Sequence, residues 1–409
     1  MNKLELQLNK IHCGDNVEVM KNFPSDSVDL VVTSPPYWGL RDYGNEHQIW
    51  GGDPECEHGW GDEIVKSQTG GNTEKRQLRK GSENFQAYES SSKFCSKCGA
   101  WVGCLGLEPH PQMFVDHLVE IFREVKRILK TSGSFWLNLG DSYCSTSGGP
   151  AANDKSSLGE KTKAAQRRAS YQGEKSNWLQ PKQKLMIPHR VAIALQDDGW
   201  VLRNDVIWHK SNHMPESVQD RLTKSYENFF FFVKSRKYYF DLDSIRKPST
   251  STPWTNVSNK GPYQENNPRK YVGKYDPDIA ETVSSPRARQ STRETTSYYN
   301  PKGKNPGDVW KIATKPFKGS HFAVFPPKLI EPIIKAACPV DGVVLDPFAG
   351  SGTALRVARK LGRSFIGIEI NPEYAKMCEA RVRGDKYTPP PEGVPTLSTF
   401  SKRLRINDP

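Results

Sequence analysis

The sequence lacks an uninterrupted apolar run near the roughly 18 residues that a membrane-spanning helix requires. It also lacks, at the Met1 end, a basic stretch followed by an apolar core, which is the pattern of a secretion signal. Cysteine is scarce, with 8 in 409 residues, and the cysteines are scattered rather than arranged as a disulfide framework. We therefore expect a soluble cytoplasmic protein with no membrane partner, in which clustered cysteines bind metal rather than form disulfides.

Acidic residues are fewer than basic ones. The chain has 46 Asp and Glu against 58 Lys and Arg, a formal net charge of +12. This surplus suits a polyanionic partner, but many soluble proteins share it, so charge alone leaves the partner open. A chain of 409 residues is too long for one ordinary core, so we expect a large α/β domain with insertions or with a smaller second unit.

Apolar periodicity predicts alternating strands and helices. Residues 28–32 have the compact apolar pattern of a buried strand, and residues 229–233 are apolar enough for a strand buried on both faces of a sheet. Apolar residues at helical spacing predict a helix over 114–129, ended by the Lys-Thr-Ser-Gly segment at 130–133. The remaining predicted elements are strands at 134–139, 201–208, 343–345 and 364–368 and helices at 325–337, 354–361 and 373–382.

Three stretches show no sustained period. Residues 51–106 are polar and carry two small groups of Cys and His, which indicates an insertion. Residues 145–190 contain nine Lys or Arg and three Asp or Glu, which indicates a basic loop that is mobile or lies along a phosphate backbone. Residues 241–309 are rich in Ser, Thr, Asn, Pro, Tyr and Arg, a composition typical of irregular recognition loops or of disorder.

The string DPFAGSGT at residues 346–353 lies between a predicted strand and a predicted helix. Its glycines let the backbone approach a ligand, and the helix start offers free N–H groups, so a nucleotide-like ligand is expected there. Glu369, nineteen residues after Gly350, ends the next strand, where a carboxylate holds ribose hydroxyls in dinucleotide-type folds. The string lacks the third glycine of a NAD fingerprint and the lysine of a P-loop. A turn that serves only packing is the alternative for the glycines alone.

The string TSPPYW at residues 33–38 follows a buried strand, where open α/β sheets present their ligand-binding groups. Pro36 fixes the turn and leaves the preceding carbonyl free, and Tyr37 offers an aromatic face. A rigid turn with a purely structural role is the alternative, since Pro-Pro turns are common.

Together the two strings resemble those of the amino-type DNA methyltransferases, in the permuted order that places the catalytic string before the variable region and the cofactor string. The resemblance covers most of residues 11–50, 107–143, 200–240 and 307–385. It implies a Rossmann-like α/β sheet, S-adenosylmethionine as cofactor and double-stranded DNA as substrate. It also implies catalytic roles for Ser34, Pro35, Pro36 and Tyr37, and cofactor contacts from Gly14, Asp15, Phe322, Asp346, Phe348, Gly350, Gly352, Thr353, Glu369 and Asn371.

The residue types in the catalytic string suit the chemistry that this family performs. An exocyclic amine is a poor nucleophile because its lone pair is delocalised into the base ring. The Ser34 oxygen and the Pro35 carbonyl can accept its N–H groups and let the nitrogen become tetrahedral as it attacks the sulfonium methyl. Tyr37 can stack on an extruded base, and Trp38 and Trp208 are candidates to line the base pocket. A place in the core is the alternative for Trp208.

The target base is predicted from the first position of the catalytic string. In this family Ser there is typical of N4-cytosine enzymes and Asp of N6-adenine enzymes, so Ser34 favours N4 of cytosine, with N6 of adenine as the alternative. The chain has no Pro-Cys dipeptide to supply the thiolate of carbon-5 methylation, which excludes that chemistry.

Other functions are weaker. A catalytically silent nucleic-acid-binding protein of the same fold is disfavoured because Ser34 and Tyr37 are both present. An RNA or protein substrate is disfavoured by the long variable region and the basic segments, which suit a duplex whose target must be located among many sites. The family suggests a cognate restriction endonuclease as a partner, while the target sequence and the oligomeric state stay open.

Cys56, His58, Cys95 and Cys98 offer four metal ligands, and Cys-x-x-Cys followed by Gly is the shape of a zinc knuckle. We predict a structural zinc that staples the insertion, with unligated reduced thiols as the alternative because Cys-x-His is not a standard spacing. Cys104 and His110 are substitute ligands. Methyl transfer from a sulfonium needs no metal, so a catalytic ion is not expected.

These predictions divide the chain into six segments with distinct roles. They are a catalytic half at 1–50, a zinc-binding insertion at 51–106, a methyltransferase core at 107–240 with its basic loop at 145–190, a target-recognition region at 241–309, a cofactor-binding half at 310–385 and a C-terminal tail at 386–409.

Overall fold

The computed structural model describes residues 6–39, 43, 45–60, 94–144, 180, 182–248, 300, 302–314 and 324–385. The strands are β1 (Lys10–Cys13), β2 (Val28–Thr33), β3 (Gln48–Trp50), β4 (Trp101–Gly103), β5 (Leu129–Leu139), β6 (Val201–His209), β7 (Tyr226–Val233), β8 (Val309–Lys311), β9 (Val343–Asp346) and β10 (Ser364–Glu369). The α-helices are α1 (Asn16–Lys21), α2 (Pro111–Ile128), α3 (Ile187–Asp197), α4 (Pro327–Ala337), α5 (Thr353–Lys360) and α6 (Pro372–Arg383).

Eight strands form one sheet in the order β1-β10-β9-β2-β5-β7-β6-β8. The neighbouring pairs from β1 to β5 are parallel, and β7 is antiparallel to both of its neighbours. Strands β3 and β4 form a separate antiparallel pair, which we call the β3–β4 ribbon. A large, mostly parallel sheet flanked by helices confirms the predicted α/β fold class.

The central strand β2 shows why helices cover both faces of the sheet. All six of its residues are buried. Val31 belongs to the core that contains residues of α2 and α3, whereas Leu30 and Val32 belong to the core that contains residues of α4, α5 and α6. Successive side chains of a strand point to opposite faces, so a strand buried throughout needs an apolar layer on each side.

The junction of α2 and β5 differs from the sequence prediction. The helix ends at Ile128 and β5 begins at Leu129, so residues 130–133 belong to the strand rather than to a helix stop. The register of β5 against β2 shifts in this stretch. A Cβ at Gly133 would lie 2.7 Å from the carbonyl oxygen of Asp29, so the glycine serves close strand approach rather than helix termination.

The other predicted strands and helices are confirmed, with ends that differ by a few residues. Periodicity does not predict the short strands β1, β3, β4 and β8, which have 4, 3, 3 and 3 residues, or the helices α1 and α3, which have 6 and 11 residues. Helix α3 begins inside the stretch predicted to be a basic loop. Its buried Ile187, Val191 and Leu195 have helical spacing, but the polar sequence before them obscures where that pattern starts.

Several predictions fall outside the described residues. These are the middle of the insertion at 61–93, the basic loop at 145–179, most of the recognition region at 249–299, the cofactor residue Phe322 and the tail at 386–409. The roles given to those segments stay predictions.

The chain divides into two compact units, Met1–Asp241 with Asp308–Pro409, and Leu242–Gly307. The described part of the second unit contains a short 3-10 helix, Leu242–Ile245. Asp243 in that helix accepts hydrogen bonds from Arg246 at 2.6 Å and from Lys302 at 2.7 Å. The ion pair between Asp243 and Lys302 joins the two described ends of the unit.

Candidate active site

The catalytic and cofactor strings meet because β2 and β9 are adjacent parallel strands, with Leu30 paired to Val344 and Val31 to Leu345. Parallel neighbours end at the same edge of a sheet, so the loops that follow them lie side by side. A cleft of about 1040 Å³, counting the part open to solvent, lies between these loops. It is lined by the predicted residues Gly14, Asp15, Ser34, Pro35, Pro36, Tyr37, Asp346, Phe348, Gly350, Thr353 and Glu369.

A buried hydrogen bond joins the two loops directly. The Thr33 hydroxyl donates to the Asp346 carboxyl at 2.6 Å, and the backbone N–H of Phe348 donates to the same oxygen at 3.1 Å. Burial raises the pKa of Asp346 to about 7, because the hydrogen bonds compensate only part of the lost hydration. Asp346 therefore changes charge near neutral pH at the floor of the cleft.

We expect Asp346→Asn to remove part of the pH dependence of stability. An aspartate with a pKa of about 7 when folded and about 4 when unfolded keeps its proton longer in the folded state, so wild-type stability falls as pH rises between those values. Asparagine keeps the acceptor for Thr33 and never ionises. Urea unfolding without cofactor should find the variant more stable than wild type at pH 8 by on the order of a few kcal/mol, and similar to it near pH 4. Wild-type and variant free energies of unfolding that change in parallel between pH 4 and pH 8 would contradict this account.

Glu369 organises the cofactor side of the cleft. One carboxylate oxygen accepts the backbone N–H of Gly350 at 2.8 Å and the other accepts that of Asn371 at 2.9 Å. Burial raises the pKa of Glu369, and these backbone donors oppose the rise. A carboxylate has about four lone-pair sites, so it can still accept hydroxyl groups of a ligand after these two bonds.

Gly352 and Asn371 lie behind the cleft rather than in its lining. Gly352 has φ +73°, and a Cβ there would lie 2.5 Å from the Sγ of Cys378 in α6. The Asn371 side chain caps α6 by accepting the backbone N–H groups of Glu373 and Tyr374 at 3.0 and 3.3 Å. Both residues position the residues that line the cleft.

The segment after β1 closes another side of the cleft. The backbone N–H of Gly14 donates to the carbonyl of Glu369 at 3.0 Å, which joins the ends of β1 and β10. Asp15 caps α1 through the backbone N–H of Glu18 and accepts a hydrogen bond from the Gln48 side chain. Gln48 belongs to the β3–β4 ribbon, so the ribbon contacts the cleft at this point.

The catalytic string forms a hydrogen-bonded relay. The Ser34 hydroxyl lies 3.3 Å from the Tyr37 hydroxyl, which in turn lies 3.0 Å from an Asn138 side-chain oxygen and 3.1 Å from a Glu227 oxygen. The Asn138 amide nitrogen donates to the carbonyl of Asn228 at 3.0 Å, which turns its oxygen toward Tyr37. Burial, and then the negative charge of Glu227, raises the pKa of Tyr37 well above its usual value, so the phenol stays protonated.

Asn138, Gly140 and Glu227 contact Tyr37 in the structure and were not predicted from the sequence. A Cβ at Gly140 would lie 2.5 Å from the Tyr37 ring, so this glycine makes room for the tyrosine. Asn138 and Glu227 lie near strand ends and are polar residues beside apolar runs, Asn138 within a buried one. A polar residue within an apolar run near the carboxyl end of a strand, two residues before a glycine, is the signal that could have found Asn138.

Neither tryptophan predicted for the base pocket is among the residues found to line the cleft. Trp38 is 2% exposed and its indole N–H donates to the carbonyl of Glu108 at 3.0 Å. Trp208 is 3% exposed and its indole N–H donates to the carbonyl of Ile312 at 2.9 Å. Both rings pack in the two cores with their one donor satisfied, so their positions do not support a base-pocket role.

Cys56, His58, Cys95 and Cys98, which we call the Cys/His cluster, come together. Their four potential ligand atoms lie within 4.8 Å of one another. The substitute ligands lie elsewhere: the Cys104 thiol contacts the carbonyl of Asn45 at 3.4 Å, and His110 caps α2. The arrangement predicted from the sequence is therefore the one that the fold assembles.

The side chains of the Cys/His cluster shift the pKa values of one another's thiols. Burial acts to raise the pKa of Cys95, but backbone N–H groups and the His58 ring lower it to about 5. Burial and the neighbouring thiols raise the pKa of Cys56 to about 11. Cys95 is therefore a thiolate near neutral pH beside a Cys56 thiol that keeps its proton.

No described helix is long and apolar enough to cross a membrane.

The family model described as DNA methylase matches residues 28–380. The Type II methyltransferase M.XycI of Xanthomonas campestris pv. cyanopsidis is 35% identical over 371 residues, which cover 91% of this chain and 86% of that protein. The Type II methyltransferase M.SmaI of Serratia marcescens is 35% identical over 373 residues, which cover 91% of this chain and 90% of that protein. A solved structure of the PvuII DNA methyltransferase, described as cytosine-N4-specific, aligns with a TM-score of 0.49 and 16% identity over 93% of this chain and 92% of that one.

Proposed function

Because the chain belongs to the N6/N4 family of DNA methylases, we propose that it transfers a methyl group from S-adenosylmethionine to N4 of a cytosine flipped out of double-stranded DNA. The observation that carries the proposal is the meeting of the Ser34 loop and the Glu369 loop at one cleft. The cytosine assignment is supported by Ser34 at the first position of the catalytic string. The Type II methyltransferases that this chain is similar to support a role in restriction and modification, with a cognate endonuclease as the expected partner.

The cleft residues fit S-adenosylmethionine. Glu369 has unused acceptor sites for ribose hydroxyls, and the start of α5 offers backbone N–H groups beside it. The aromatic ring of Phe348 and the carboxylate of Asp15 both line the cleft and are candidates to contact the adenine end. The cofactor, when bound, supplies an electrophilic methyl on a sulfonium. The work of the protein is to position the amine against it.

The relay explains how Ser34 becomes an acceptor. An ionised Glu227 can only accept hydrogen bonds, so it fixes the Tyr37 proton on its own side, together with the Asn138 oxygen. The Tyr37 oxygen then accepts a hydrogen bond from the Ser34 hydroxyl, and the lone pairs of the Ser34 oxygen are left to accept an N–H of the substrate. When Ser34 holds this N–H out of the plane of the base, the nitrogen lone pair is no longer delocalised into the ring and can attack the sulfonium methyl.

We also propose that zinc is a second cofactor, held by the Cys/His cluster and structural in role. Thiolates with one imidazole are the donor set that selects zinc in a closed tetrahedral site. The cluster lies outside the set of residues that line the cleft, which agrees with chemistry that needs no metal.

The test is to identify the product. The purified protein is incubated with S-adenosylmethionine and mixed-sequence unmethylated duplex DNA, which is then digested to nucleosides for mass spectrometry against synthetic standards. We expect N4-methylcytosine. N6-methyladenine would keep the mechanism and overturn the base assignment. No modified nucleoside, despite measurable cofactor binding, would overturn the proposed activity on DNA.

A further inference from the structure

We infer that the zinc of the Cys/His cluster controls the affinity for S-adenosylmethionine, because it fixes the β3–β4 ribbon as one wall of the cofactor cleft. The inference rests on the proposed function, since it concerns binding of that cofactor. It gives the metal a definite role, which is to keep a small insertion folded against the catalytic loop.

The distances within the Cys/His cluster fit a tetrahedral ion. Four ligands at about 2.3 Å from a zinc ion place their sulfur atoms about 3.8 Å apart. The sulfur atoms of Cys56 and Cys95 are 4.0 Å apart, and the Cys98 sulfur lies 3.4 Å from Nδ1 of His58. Small rotations of the four side chains in the Cys/His cluster would bring their ligand atoms to tetrahedral positions around one ion.

The backbone around Cys95 has the form of a metal knuckle. The N–H of Lys97 points at the Cys95 sulfur at 3.4 Å, and the N–H of Gly99 donates to the Cys95 carbonyl at 2.9 Å. Gly99 has φ +75°, which permits this tight turn. A Cβ at Gly52 would lie 2.8 Å from the Cys98 sulfur, so a second glycine leaves space beside the ligand.

The ribbon connects the Cys/His cluster to the cleft over a short distance. Its strands have three residues each, and an isolated pair of this length is not stable in water. Gln48 and Trp50 of the ribbon line the cleft, and Gln48 donates a hydrogen bond to Asp15. The N–H of Cys95 donates to the carbonyl of Ala100 at 2.7 Å, directly before β4. A metal cross-link at this end therefore stabilises the cleft wall at the other.

The ribbon also packs toward the catalytic loop. The Trp50 and Trp101 rings stack near His117, with ring centroids 4.3 and 5.7 Å from it. His117 pairs with the buried Glu108 at 3.0 Å, and the carbonyl of Glu108 accepts the indole N–H of Trp38. Trp38 follows Tyr37 directly in the sequence. Loss of the ribbon would thus remove support from behind the catalytic string.

The experiment measures metal content and cofactor affinity on the full-length protein. Elemental analysis after exhaustive dialysis should find about one zinc per chain in the wild type and in Cys13→Ala, whose cysteine is exposed and outside the cluster, and little in Cys98→Ala. Calorimetry should show a dissociation constant for S-adenosylmethionine at least about tenfold higher in Cys98→Ala, as expected if the ribbon is ordered in only a tenth of the molecules.

Removing zinc from the wild-type protein with a chelator is the control for misfolding of the Cys98→Ala variant. Wild-type protein stripped of zinc should lose cofactor affinity to a similar extent and regain it when Zn²⁺ is added back under reducing conditions. No bound zinc, and none taken up, would overturn the metal site. Bound zinc with equal affinity before and after stripping would overturn its control of the cleft. A zinc-loaded wild type that binds no S-adenosylmethionine would instead count against the proposed function.

Discussion

Ser34→Ala is expected to lower kcat at least about 100-fold, the size of effect seen when one preorganised polar contact to a transition state is removed. The dissociation constant for S-adenosylmethionine should stay within about twofold, because Ser34 holds the amine and not the cofactor. Alanine leaves the Pro35 carbonyl as the remaining acceptor of the proposed pair, so some activity should survive. Single-turnover methylation of duplex DNA, with calorimetry for the cofactor, separates the two quantities.

Two further variants make the Ser34 result specific. Tyr37→Phe keeps the ring and removes the acceptor of the Ser34 proton, so its kcat should fall by a smaller amount, about tenfold. Ser27→Ala removes another serine that donates a local hydrogen bond, to the carbonyl of Pro24 at 2.7 Å, and should methylate at the wild-type rate. Unchanged kcat in Ser34→Ala would remove the serine from the mechanism.

Glu369→Ala is expected to weaken S-adenosylmethionine binding at least about 100-fold. Hydrogen bonds to a charged group contribute roughly 1.5 to 3 kcal/mol each, and two of them to ribose hydroxyls correspond to that factor. The substitution also leaves the buried N–H groups of Gly350 and Asn371 without their acceptor, so the loop itself should lose order. Calorimetric titration of the cofactor, with thermal unfolding of the cofactor-free protein, distinguishes lost contacts from a lost fold.

Matched variants define what Glu369 contributes. Glu369→Gln keeps one acceptor oxygen and should have an intermediate dissociation constant. Glu373→Gln removes a negative charge in the first turn of α6, on a side chain paired with the exposed Lys376, and should bind the cofactor like the wild type. An unaltered affinity in Glu369→Ala would refute the placement of the ribose.

The sequence alone predicts those parts of the molecule whose signal is local. A buried strand such as residues 28–32 and the glycine string at 346–353 carry their structural requirement in adjacent residues. The Cys/His cluster could be anticipated because the chemistry of its side chains restricts what they do, even though 39 residues separate Cys56 from Cys95.

The parts that could not be predicted depend on contacts between distant segments. Glu227 is one acidic residue among 46, and only the pairing of β7 with β5 brings it to Tyr37. Trp38 and Trp208 resemble pocket residues in sequence, yet the direction of an indole depends on which carbonyl is within reach of its N–H. Residues 130–133 have the composition of a helix stop, but they lie in the register shift between Leu129 and Ser134, which both pair with β2.

Strand β1 lies at one edge of the sheet, and its partner β10 pairs Ile366 with Lys10. During synthesis the first strand leaves the ribosome long before its partner exists, and closing so long a loop costs conformational entropy. Contacts this distant in sequence also slow folding. The cleft can therefore form only when translation has passed Glu369, so a chain truncated before that residue lacks the active site. A nascent chain carries strands without their partners, and such strand edges can pair with other chains.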